Sequence, residues 1–254
     1  MTNRLTGWAG VLAALLIFST VAQAQLAPPQ AAPRNASAVS IPDFSGIWQK
    51  AGGGPGLIES EPPMTRWGLE KYAAAKPIHG PRIVSPTESN AAELKCLPMG
   101  IPGTYFRPRT LEFVQLPDRA IMLFEIDHMW RVIHMDGRGF PEVPLDSWMG
   151  YSIGRYEGDT LVVETRHFKG WEENSHRWLD RLGHPFSDEL RVTERFRRTN
   201  QNTLQNQITI DDPIAYSRPW TANINFRLMQ EFEMGEFICQ ELMLSDLPEM
   251  RPGQ

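Results

Sequence analysis

Two stretches of this chain hold the side chains best suited to moving protons. The first runs Glu125-Ile126-Asp127-His128-Met129-Trp130-Arg131-Val132-Ile133-His134. Extended backbone on either side of a tight turn at His128-Met129 sets Asp127 opposite Trp130, Glu125 opposite Val132 and Leu123 opposite His134. The pleat then places all six on one face of a hairpin. Met122, Phe124, Ile126, Ile133 and Met135 fall on the other face, with Arg131 near the turn. A carboxylate beside an imidazole forms a proton-transfer pair, here Asp127 with His134. Arg131 is the candidate to stabilise developing negative charge, and Trp130, His128, Glu125 and Trp148 are the candidate substrate contacts. The competing reading is that this polar face meets water, as in a half-buried sheet.

The second stretch is Ser175–Pro185, in which His176, Asp180 and His184 recur at intervals of four. A helix would bring them to one face, but Gly183 and Pro185 end any helix before His184. Asp180 then serves as a cap, or as the ion-pair partner of Arg177 or Arg181. Alternatively, the loop folds over a rigid framework and delivers Asp180 and His184, as a second proton-transfer pair, to the pocket of Asp127 and His134.

Other chemistries have less support. Two histidines and a carboxylate suit zinc or iron, but HExxH is missing and a turn separates His128 from His134, so no metal is expected. Gly-x-Ser-x-Gly is missing too, and Gly52-Gly53-Gly54-Pro55-Gly56 lacks the Lys-Ser/Thr of a phosphate loop; it reads as a flexible loop. Hence no cofactor is expected. The net charge is −5, and the arginines at 191, 195, 197 and 198 are interrupted by Glu194, which describes a solvated strand face and argues against nucleic acid. Eight tryptophans fit either a cavity for a small apolar molecule or ordinary packing.

The framework these residues need is legible from Thr110 onward. Thr110–Leu116, Ala120–Asp127, Trp130–Met135, Gly150–Tyr156 and Thr160–Phe168 read as strands separated by turn signals such as Asp136-Gly137. Glu189–Thr199, Thr203–Ile210 and Trp220–Met229 continue the pattern, Phe44–Gln49 opens it, and Phe237–Leu242 is a candidate last strand. Antiparallel strands joined by tight turns favour closure into a barrel, which removes unpaired edges; a sandwich is the rival. Lys50 to Arg109 forms a long irregular N-terminal insertion with one helical stretch near Thr65–Ala75.

Residues 1–24 have the form of a secretory signal: Arg4, an apolar run from Trp8 to Val21, then Ala22-Gln23-Ala24. The run is roughly 14 residues, short of the roughly 20 that span a bilayer, so cleavage and a periplasmic or secreted destination are expected, with no membrane insertion afterwards. Residues 25–40, rich in Ala, Pro and Gln, read as a disordered linker, and 41–254 as one domain. In an oxidising compartment Cys96 and Cys239, the two cysteines, are a candidate disulfide.

Two resemblances add to this. Asp43-Phe44-Ser45-Gly46-Ile47-Trp48 resembles the Gly-x-Trp opening of calycin and lipocalin barrels, which implies a tryptophan plugging one end. The runs Cys96-Leu97-Pro98-Met99-Gly100, Ser147-Trp148-Met149-Gly150, Gly158-Asp159-Thr160-Leu161-Val162-Val163-Glu164-Thr165, Trp178-Leu179-Asp180-Arg181-Leu182-Gly183-His184-Pro185 and Ile210-Asp211-Asp212-Pro213, with the Glu125–Arg131 hairpin, resemble a family of exported bacterial proteins of unassigned function.

The expectation is therefore an all-β, antiparallel, calycin-like barrel. It would work as an exported enzyme using cofactor-free acid–base chemistry (lyase, isomerase or hydrolase) on a small, largely apolar molecule. The alternative is a non-catalytic, lipocalin-like binding protein for a hydrophobic ligand.

Overall fold

Along Trp220–Leu228, Trp220, Ala222, Ile224 and Phe226 are buried while Thr221, Asn223, Asn225 and Arg227 are exposed. This is the period-two alternation of a strand with one face on a core. The computed structural model describes residues 41–52, 54–57, 61–143, 145–169 and 178–240. The segments read as signal and linker, together with Trp171, His176, Arg177 and the end of the last candidate strand, lie outside the described residues.

Within them, β1 (Gly46–Lys50) is followed by a helix, α1 (Arg66–Ala74). Then come β2 (Thr110–Gln115), β3 (Arg119–Phe124), β4 (Trp130–His134), β5 (Tyr151–Glu157) and β6 (Thr160–Arg166). β7 (Arg191–Asn200), β8 (Thr203–Asp211) and β9 (Trp220–Leu228) complete a closed barrel in sequence order. Closure runs through β9 and β1, where Trp48 pairs with Leu228 and Lys50 with Phe226. Among the described residues, Phe237 contributes a single bridge to Ile126.

The expected all-antiparallel pattern fails at one seam. β4 and β5 pair in parallel through Ile133↔Ser152 and His134↔Ile153 alone. Consecutive strands can run parallel only if the chain crosses back between them, and residues 135–150 make that crossing.

The β3–β4 register also differs from the expected one: Leu123 pairs with Trp130 and Arg119 with His134. The turn is wider than two residues because Asp127 and His128 both adopt left-handed backbone, with φ of 54° and 48°. Glu125 folds back onto β2, accepting from the Thr110 N–H at 2.8 Å and its hydroxyl at 2.6 Å. The shift is by an even number of residues, so every side chain keeps its expected face.

Large side chains pack the described interior. Trp48, Phe113, Phe196, Met122 and Ile133 are fully buried, and each such side chain contributes roughly 1.5–3 kcal/mol. Arg131 shares this interior at 1% exposure, with Glu194 at 0%. Its Nη2 lies 2.5 Å from Glu194 Oε2. It also donates to Ser152 Oγ at 2.9 Å, Tyr105 Oη at 3.0 Å and Thr165 Oγ1 at 2.6 Å. Tyr105 and Asn206 each donate to Glu194 Oε1 at 2.8 Å. Burial, then the neighbouring Glu194 charge, pushes the Tyr105 hydroxyl well above its usual pKa and keeps it a donor.

The insertion is fastened to the rest of the molecule at two places. Thr65 caps α1, its hydroxyl accepting from the Gly68 N–H at 3.1 Å. Gly68 sits so close to the Ala215 carbonyl that a Cβ there would lie 2.2 Å from its oxygen. Asp212 holds that corner, accepting from Ser187 N–H and Oγ and from the Ile214 and Ala215 N–H groups at 2.6–3.1 Å. The second fastening is the bonded pair Cys96–Cys239, with Cα atoms 5.5 Å apart, which ties the insertion to the segment after β9. Replacing both cysteines with serine is expected to lower unfolding free energy by about 2–5 kcal/mol, read from denaturant melts. Alkylation without reductant should modify neither sulfur in the native protein.

Candidate active site

Trp178–Ser187 is a tight loop rather than a helix: Leu179 N–H donates to His184 O at 2.8 Å, and Trp178 bridges Pro185 in antiparallel fashion. Gly183, at φ +87°, makes the reversal that a side chain would resist. This brings Asp180 and His184 together by a route the spacing of four did not suggest.

His184 Nδ1 lies 2.6 Å from Asp180 Oδ2, with Asp180 at 0% and His184 at 2% exposure. Asp180 Oδ2 also accepts from the Leu57 N–H at 3.0 Å. Oδ1 accepts from Leu182 N–H at 3.0 Å and His184 N–H at 3.4 Å. The carboxylate is thus both the loop's cap and the histidine's orienter, but the pair is not delivered to the surroundings of Asp127 and His134. Arg181 turns instead to Glu93, 2.9 Å away.

A carboxylate acceptor at Nδ1 fixes the tautomer and leaves the Nε2 lone pair as the ring's free basic position. Nε2 is 4.0 Å from Glu61 Oε2. The Tyr72 ring, carried by α1, stacks on the imidazole with centroids 4.9 Å apart and planes 4° from parallel. Arg82 covers the Tyr72 ring at 3.5 Å, and Tyr72 donates to Glu61 Oε1 at 2.9 Å. Burial, then the Glu61 hydrogen bond, raises the Tyr72 pKa.

These groups line a cleft of about 650 Å³ between the insertion and the β1–β9 junction of the barrel. Its polar wall is Lys50, Glu61, Tyr72, His184, Asn223 and Asn225, and Leu57, Phe106, Leu182 and Ile224 supply apolar surface. Gly52, Gly54, Pro55 and Gly56 form one side, and the Arg181 N–H donates to Pro55 O at 3.0 Å. A Cβ on Gly56 would lie 2.4 Å from Leu182. Close approach, rather than flexibility, accounts for that glycine.

The other candidates sit elsewhere. Asp127 and His134 do not form a pair. Asp127 Oδ1 accepts from Cys239 N–H at 3.3 Å and its N–H donates to Phe237 O at 3.1 Å, so it braces the disulfide. His134 faces outward and stacks on Tyr151 at 5.0 Å. The polar face of the hairpin therefore lies outside the barrel. Arg131 cannot serve a reaction at the His184 cleft, because its N–H groups are engaged inside the barrel. Glu125 caps β2, and His128 is exposed, 4.0 Å from Glu236.

Trp130 and Trp148 do share a pocket. They line a separate cleft of about 460 Å³ over the β4–β5 seam, with His134 and Tyr151 alongside and the engaged Arg131 and Ser152 at its floor. Trp130 is 65% exposed.

Sequence reading missed Tyr72, Glu61 and Lys50 as neighbours of His184. They come from β1 and the insertion, and no local spacing connects them to residue 184. The motif Trp178–Pro185 was the available signal, since a loop with Asp, Gly, His and Pro in that order specifies a reversal.

Among the described residues, no three His, Cys, Asp or Glu side chains come together as a metal-binding group, and no helix is long and apolar enough to cross a membrane. No protein-family model matches the chain, and no curated protein matches it. The molecule's class is therefore defined by its own geometry: a closed nine-stranded β-barrel with a buried aspartate–histidine pair opening on a lateral cleft.

Proposed function

We propose that this protein is an exported enzyme in which His184, oriented by Asp180, acts as a general base toward a small molecule bound in the lateral cleft. The observation that carries the reading is the 2.6 Å contact between His184 Nδ1 and an Asp180 carboxylate whose oxygens also take three backbone N–H groups. That order of nucleophile-side nitrogen, ring and buried orienter is what base catalysis requires of a histidine. Nε2 removes a proton from carbon or from water, and Tyr72 and Glu61 are the groups placed to relay it. The reaction is a proton abstraction leading to isomerisation or elimination, or a hydrolysis. Export is supported by the disulfide, and a calycin-type barrel by the closed sheet with Trp48 of β1 fully buried.

The test is solvent-deuterium incorporation into a panel of small ketones, lactones and carboxylic acids with exchangeable α-protons, followed by mass spectrometry. Incorporation or turnover that depends on His184 supports the reading. Activity unaffected by its replacement sinks it.

A second reading, ligand binding without chemistry, is favoured by the Trp130–Trp148 cleft. An apolar ligand would sit at this seam, against the exposed Trp130 ring. The neutral probe N-phenyl-1-naphthylamine is expected to quench tryptophan emission saturably, and Trp130→Ala should weaken its binding about tenfold or more. Equal affinity in the variant rejects this site.

A further inference from the structure

The His184 cleft does not end at Lys50. A second cleft of about 530 Å³ shares Lys50, Gly54, Gly80 and Phe106 with it and continues to His79, Arg107 and Arg181. No carboxylate lines this continuation. Glu93 lies behind it with a 6% exposed side chain, bonded to Arg107, 2.9 Å from Arg181 and 3.2 Å from His79. Asp127 also acts on Arg107.

Lys50, by contrast, has no carboxylate partner among the described residues. Its Nζ donates to Gly52 O at 2.6 Å and Gly54 O at 3.3 Å and sits 5.3 Å from the Phe106 ring. Burial lowers its pKa, a cost that a nearby anion relieves. Burial, then the Arg181 charge, lowers the His79 pKa as well. Three cationic side chains thus face one groove in a chain whose net charge is −5, so the local sign is not a by-product of overall charge.

We propose that the substrate of the His184 site is a small molecule with an oxyanion end, a carboxylate or a phosphate. Lys50 holds that end beside Arg107 and Arg181, and an apolar body lies along Phe106 and Leu182 toward His184. This rests on the reading of His184 as the base. Guanidinium and ammonium donors give charge-assisted hydrogen bonds to such oxygens, and anchoring one end orients the other for proton transfer. Arg107 and Arg181 are pre-set by Glu93, which limits the ordering cost of binding.

The experiment is a titration of the intact, disulfide-bonded protein with benzoate, inorganic phosphate and methyl benzoate, followed by amide shifts in ¹H–¹⁵N spectra. Benzoate or phosphate should shift Lys50, Gly52, Gly54 and Arg181 saturably, the tighter one identifying the anion, and the neutral ester should not. Lys50→Met should weaken that binding about tenfold or more, whereas Lys50→Arg, which keeps the charge, should retain it. The proposal is overturned if the ester binds as tightly as benzoate, if Lys50→Met changes nothing, or if neither anion gives a saturable shift at millimolar concentration. Failure of the base is read separately. His184→Gln should keep the anion affinity and lose deuterium incorporation, so anion binding without His184-dependent chemistry would leave the groove standing and remove the base.

Discussion

Replacing His184 with glutamine is expected to lower turnover by about 10²–10⁴-fold, the usual contribution of a positioned base, with little change in substrate affinity. Glutamine fills much of the imidazole's space and still offers an N–H to Asp180, so the loop keeps its cap. It has no basic nitrogen at the cleft. Loss confined to kcat would identify a step made only in the transition state. Retention of the wild-type rate would mean that the pair serves the loop alone. Asp180→Asn is a less clean probe. Both oxygens accept from N–H groups, so the amide nitrogen opposes donors whichever way it is turned. That variant should lose about 1–3 kcal/mol of stability as well as the orientation of His184.

The largest structural effect is expected from Arg131→Met. Removing one partner leaves Glu194 as a buried, uncompensated charge, which costs about 3–5 kcal/mol. For a domain of this size that is a fall in Tm of roughly 6–20 °C. The single variant also strands the hydrogen bonds of Ser152 and Thr165. Arg131→Met combined with Glu194→Gln should be more stable than Arg131→Met alone. The charge is then gone, and the amide oxygen still accepts from Tyr105 and Asn206. Thermal melts of the three proteins decide it. A loss of less than about 1 kcal/mol in the single variant would show that the pair is not held as described. In neither variant should the His184 chemistry fail for a reason other than stability, because Arg131 faces the lumen.

The strands were legible because one-sided burial writes itself into a chain as period-two alternation. The order of β2 to β9 follows the turn signals, and the helix follows Thr65 as its cap. Face assignment also survived a wrong register: Trp130 and His134 point outward and Ile133 inward in either pairing, since side-chain direction depends only on parity. Asp180 and His184 were recognisable by residue type and by lying in a loop that a barrel must position.

Tertiary structure decided the rest. Which polar face meets solvent depends on curvature and closure, and these placed Asp127 and His134 on different neighbours and enclosed Arg131 with Glu194, a partner from β7 with no local link in sequence. The pairing of Cys96 with Cys239 is likewise a long-range contact, separated by 143 residues. The cleft is assembled from β1, α1, β9 and the Asp180 loop. Its chemistry exists only where backbone approaches such as Gly56 on Leu182 and Gly68 on Ala215 bring them together. Local pattern encodes which residues are strand, turn or buried, because those depend on near neighbours. A site built from four distant segments depends on how the closed barrel stacks them, and no short window of sequence contains that information.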